Sequence, residues 1–172
     1  MNKTDIKNKL LEFTTKGVEK FLKENSELEF YAFAFDCNAE YAEVNLCLNT
    51  EVEFKQTLKK YQNGDYPQYY QTNEDIKDLK FNTGDWEYQC FESTNVLSEN
   101  ELTEIFESLP EDDYKSWKEF VEELMELFCE TLIEFRKTEI YNKIPKTEDF
   151  ISFCIDHDED FEPSMERLKK YE

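Results

Sequence analysis

The side chains able to do covalent or metal chemistry are few and scattered. His157 is the only histidine, in the run Asp156-His157-Asp158-Glu159-Asp160, three residues after Cys154. Four neighbouring carboxylates favour its charged form. Asp156, Asp158 and Asp160 open like a calcium loop. That loop requires Gly at its sixth position and Glu at its twelfth, and here those positions hold Phe161 and Arg167. Zinc requires clustered thiolates or imidazoles, and nothing is spaced to complete Cys154 and His157. The 5 cysteines, Cys37, Cys47, Cys90, Cys129 and Cys154, are odd in number and form no close pairs. Each sits in an apolar context, so they read as free thiols packed like small core residues in a reducing compartment. Three scattered glycines cannot form a phosphate-binding loop. His157 could serve a Cys or Ser brought near by the fold, but no nucleophile elbow is visible, and carboxylates are too numerous for spacing to single out a catalytic pair. No catalytic residue, cofactor or metal is expected; a hydrolase depending on His157 is the most remote of the readings.

Charge points elsewhere. The chain has 41 acidic against 20 basic residues, a net charge of −21. Such a field repels nucleic acid and anionic membranes and attracts basic proteins, speeding their encounter at low salt. Ser98 to Glu139 alone carries 14 acidic and 4 basic residues. A charge-driven partner is therefore expected on the helices there, with Glu122 and Glu126 on the outward face. Asp158, in the acidic run near the C-terminus, joins them. The segment DYPQYYQTNE, residues 65–74, reads as a surface loop whose Tyr66, Tyr69 and Tyr70 offer contact area at low entropy cost. The alternative is that those rings lie over a sheet edge.

These residues need a scaffold, and its centre is FYAFAFDCNAEYAEVNLCL, Phe30 to Leu48. Phe30, Ala32 and Ala34 alternate with Tyr31, Phe33 and Phe35, apolar on both sides, as in a central strand. Asp36 to Glu40 is a polar break of hairpin length. The return strand turns Ala42, Val44, Leu46 and Leu48 one way and Tyr41, Glu43, Asn45 and Cys47 the other, so one face should be wet. Thr4 to Asn25 reads as an amphipathic helix capped by Thr4. Thr50-Glu51-Val52-Glu53 and Ser98-x-x-Glu101 are capping-box sequences opening helices to about Tyr61 and Leu109. Ile76 to Phe81 and Trp86 to Phe91 read as two strands around a polar turn. Asp112 and Asp113 start the longest helix, to about Lys137. Phe150 to Ile155 is a last strand, and a helix follows from Pro163 to Lys170. The expectation is one α+β domain over 1–172: a mainly antiparallel sheet of four to five strands packed with helices, the long acidic amphipathic helix near the C-terminal half. MNKTDIKNKL has no apolar core of secretory length and no run approaches the ~20 apolar residues of a membrane span, which reads as a cytoplasmic protein.

This order of elements resembles the bacterial domain of unknown function 4303 family over nearly the whole chain. The resemblance rests on Phe30 to Phe35, on Trp86 after a polar turn, and on Ile151 through Asp158 followed by Ser164, Arg167 and Leu168. It implies no catalytic residues. It implies likeness to small acidic α+β proteins found near polymorphic toxin genes, where such proteins act as immunity factors. The leading expectation is thus an acidic binding protein, an immunity-type inhibitor of a basic, toxin-like protein, contacting it through Tyr66, Tyr69, Tyr70, Trp86, Glu122, Glu126 and Asp158. The alternative is a small-molecule-binding or regulatory domain with its pocket beside Trp86. Neither reading states an oligomeric state.

Overall fold

A computed structural model describes residues 2–64, 67–110 and 114–172. Four strands form one sheet: β1 (Phe30–Asn38), β2 (Glu43–Asn49), β3 (Tyr88–Asn95) and β4 (Lys146–Asp156), in the order β3-β2-β1-β4. β1 pairs antiparallel with β2, and β2 antiparallel with β3. β4 runs parallel to β1, so the sheet is mixed and mostly antiparallel. Seven α-helices surround it among the described residues: α1 (Lys3–Glu24), α2 (Glu51–Gln62), α3 (Asn73–Phe81), α4 (Glu99–Ser108), α5 (Tyr114–Phe135), α6 (Glu139–Lys143) and α7 (Phe161–Leu168).

β1 is central and buried on both faces, because its apolar residues point both ways. An irregularity in its pairing between Phe30 and Ala32 breaks the strict alternation. Tyr31 then packs with Phe54 of α2, Phe81 of α3 and Trp86. Phe33 turns to the opposite face, against Phe135 of α5. The expected grouping of Tyr31 with Phe33 is thus split between two helical layers. Each fully buried ring contributes about 1.5–3 kcal/mol relative to exposure. α1 approaches the same face closely at Gly17, where a Cβ would sit 3.0 Å from Leu46 Cδ1 and 3.3 Å from Glu92 Cγ.

The sequence pattern foretold several ends. Thr50 and Ser98 cap α2 and α4, each accepting the backbone N–H three residues on, and Ser98 with Glu101 closes a full capping box. Other expectations need correction. Asn2, not Thr4, caps α1. Ile76 to Phe81 is helical, because Thr72 and Asp75 form a capping box that starts α3. The strand expected from Trp86 begins at Tyr88. The tight hairpin turn is a short 3-10 segment, Ala39–Tyr41, closed by Ala42 at φ 51. The return strand is wet only near its start, since Cys47 and Asn49 are buried. The expected start of the long helix at Asp112 and Asp113 lies outside the described residues.

Candidate binding groove

The groove forms where the parallel strands β1 and β4 end. The apolar run of β4 delivers Asp156 beside Cys37 of β1. There Asp156 Oδ1 accepts the Ala39 N–H at 3.2 Å, and the Asp156 N–H donates to Glu159 Oε2 at 3.2 Å. Arg167, one helix later, clamps Glu159: Nη1 donates to Oε1 at 2.6 Å and Nη2 to Oε2 at 2.5 Å. The same Nη2 reaches the Cys154 carbonyl at 3.2 Å. Both partners are mostly buried, with side chains 19% and 18% exposed. A bidentate, charge-assisted pair of this kind fixes geometry as well as adding energy. It holds residues 156–160 as a shaped turn that displays His157 and Asp158 to solvent.

On one side of that turn a groove of about 1020 Å³ runs between α5 and α7. Glu122, Glu126 and Asp158 line it together, so the structure brings these three expected residues to one surface. Seven carboxylates line it against Lys118, Arg167 and Lys170, and Arg167 is committed to Glu159. Among the described residues neither Glu122 nor Glu126 is in an ion pair. Burial pushes the Tyr171 phenol up to about 12, the charge of Glu126 adding to the shift, and Glu126 also lies within the field of Lys3. On the other side of the turn a cleft of about 610 Å³ is lined, among the described residues, by seven carboxylates and by no lysine or arginine. Tyr70 and Asp158 both line it.

The remaining expected residues are placed otherwise. Tyr69 is 57% exposed and lines neither cavity. Tyr70, at φ 58, is pinned to α2: its ring lies 5.1 Å from that of Tyr61, and its carbonyl accepts from Gln62 Nε2 at 2.8 Å. Tyr66 lies outside the described residues. Trp86 is 2% exposed; its indole N–H donates to the Lys80 carbonyl at 2.9 Å, and Tyr31 and Phe153 pack on its ring. A contact role for Trp86 is corrected on that ground. The saturated N–H shows why an amphipathic ring can go in.

Sequence reasoning missed a third cavity, of about 380 Å³, adjoining the same turn. It brings Tyr41, Tyr114 and Trp117 against Asp156 and Asp158. The available signal was Tyr114 and Trp117 three residues apart on one helix face, ahead of the buried stripe that begins at Phe120.

Beneath the groove lie three thiols. Cys37 and Cys154 Sγ atoms are 3.6 Å apart, and Cys129 of α5 interacts with Cys154. Burial pushes the Cys37 and Cys154 thiols up; for Cys129 the interaction with Cys154 leads and burial adds to it. Thiols held protonated in this way are packing groups rather than nucleophiles. Cys90 departs from the expected core role: it is exposed, at φ 48, with its N–H on Cys47 Sγ. Burial likewise raises the Asp36 carboxyl, against which the Thr83 hydroxyl, donating at 2.8 Å, and His157 act. Among the described residues no group of three or more His, Cys, Asp or Glu side chains is placed to hold a metal ion, and no helix is long and apolar enough to cross a membrane.

A family model described as a domain of unknown function, DUF4303, matches residues 10–171. The chain belongs to this family. Neither a curated protein nor a solved structure matches it. The DUF4303 match takes in all four strands, the 156–160 turn and the Arg167 clamp, so the elements that build the groove belong to the family's domain. In this DUF4303 chain the groove can present negative charge, and the smaller cavity beside it aromatic surface.

Proposed function

We propose that this DUF4303 chain is a cytoplasmic acidic binding protein, an immunity-type inhibitor whose groove between α5 and α7 receives a basic, toxin-like protein. The supporting observation is the convergence of Glu122, Glu126 and Asp158 on a groove with seven carboxylates and three cations, one of which is tied up internally. A surface like this would steer a cationic partner by long-range attraction and hold it by short-range contacts. A toxin that acts on an anionic substrate such as nucleic acid has the cationic face that fits. The chain itself is read as non-enzymatic, repelling nucleic acid and anionic membranes by the same field.

The test is a capture experiment with two baits, wild type and Glu122→Lys/Glu126→Lys, from the source cells at low and at high salt. A stoichiometric basic partner held by wild type at low salt, released at high salt, and held poorly by the charge-reversed bait is the expected result. Equal capture by both baits would remove the groove from the reading.

A further inference from the structure

The third cavity carries a more specific inference, which rests on the reading of this face as the seat of a basic protein. Its walls come from the link between β1 and β2, from the first turns of α5 and from the 156–158 turn. The rings of Tyr41, Tyr114 and Trp117 line it together with the carboxylates of Glu40, Asp156 and Asp158; among the described residues Lys118 is the one lysine or arginine on its rim, and His157 lines it beside Asp158. Exposed aromatic area concentrates here. Of the six large hydrophobic side chains exposed among the described residues, Tyr41 and Tyr114 line the cavity, at 61% and 73% exposed, and Phe106 packs on its Trp117. Trp117 is held between Phe106, ring centres 5.5 Å apart, and Phe120, 5.2 Å apart. Asp156 is fixed by the Ala39 N–H.

Aromatic faces carry negative electrostatic potential, and three carboxylates at the same mouth add to it. An apolar side chain alone would leave those carboxylates to be dehydrated without a partner. A compact ammonium is strongly hydrated and gives up more on entering among rings. A guanidinium is planar and weakly hydrated; it stacks on rings while forking onto a carboxylate. We propose that this cavity is an arginine pocket: it takes one arginine side chain of the basic partner, stacked against Tyr41 and Tyr114 and hydrogen-bonded to the Asp158 carboxylate.

The probes are hexa-arginine and hexa-lysine peptides of equal charge, titrated into the full chain with the Trp117 indole as the reporter. Trp86 is buried in the core, so the accessible tryptophan is the one in the cavity. Hexa-arginine should bind about tenfold more tightly than hexa-lysine, the magnitude of one or two cation–π contacts. Tyr41→Ala/Tyr114→Ala should erase that preference without weakening hexa-lysine binding, and Tyr41→Phe/Tyr114→Phe should retain it. Both tyrosines are exposed, so circular dichroism should be unchanged in either variant. Equal affinity of wild type for the two peptides overturns the arginine pocket, as does a preference that survives Tyr41→Ala/Tyr114→Ala. If both peptides bind equally and Glu122→Lys/Glu126→Lys weakens both, the acidic groove stands and the arginine pocket alone falls. If neither peptide binds, the two readings fall together.

Discussion

The two flanks of helix α5 carry the same residue type and do different things. Toward α1, Lys7 sits between Glu130 at 3.1 Å and Glu134 at 2.7 Å, and Lys3 reaches Glu123 at 2.5 Å. Those carboxylates are matched by a neighbouring helix and serve packing. Toward α7, Glu122 and Glu126 face a groove whose far wall adds Asp158 and Glu166, and whose arginine is already engaged with Glu159. Acidity as such therefore distinguishes nothing along this helix. What distinguishes the flanks is whether the next element supplies the counter-charge.

The largest effect expected from breaking this comparison is on stability. Arg167→Met strands the mostly buried Glu159 and frees the turn, so urea denaturation should show a loss of about 3 kcal/mol. Lys7→Ala breaks more exposed pairs on the other flank and should cost less than about 1 kcal/mol. Comparable losses at the two sites would erase the structural distinction. On binding the order reverses: Glu122→Lys/Glu126→Lys should slow association with a captured basic partner roughly tenfold at low salt while shifting stability by less than about 0.5 kcal/mol.

A smaller effect concerns pH. Asp36 lies at the groove end of β1, and its carboxyl is raised in the folded protein, chiefly by burial. A raised acid binds its proton more tightly in the native state than in the unfolded chain. Its ionisation therefore lowers stability as pH climbs from the ordinary aspartate range through the raised folded value. Asp36→Asn should be more stable than wild type above that window, with the advantage vanishing at lower pH. Lys7 has the opposite logic. Its pKa is raised, first by the hydrogen bond with Glu134. Its contribution is fully present below the ordinary lysine value and is lost as pH rises through the folded value, so Lys7→Ala should flatten the alkaline fall in a pH series of melting curves.

Much of the scaffold was legible because it is local. The two-sided apolar alternation of Phe30 to Phe35 announced a central strand, and the Thr50 and Ser98 caps announced their helices. Ile76 to Phe81 misled because six residues do not separate a strand from an apolar helix segment; the Thr72 to Asp75 box just upstream decides it. The site was legible only in part. Glu122, Glu126 and Asp158 could be suspected from charge, but their meeting depends on the parallel pairing of β1 with β4 and on Arg167 reaching Glu159. Neither leaves a periodic trace in the chain. Trp86 was misplaced because the carbonyl that satisfies its indole belongs to Lys80, at the end of a helix that the pattern did not show.

The most direct test of the account is the association rate of the captured partner as a function of ionic strength, measured for wild type, Glu122→Lys/Glu126→Lys and Lys7→Ala. The groove reading predicts a steep fall with salt for wild type and Lys7→Ala, and a slower, flatter profile for the groove variant alone. Identical profiles for all three proteins would contradict it and return the acidity of α5 to solubility.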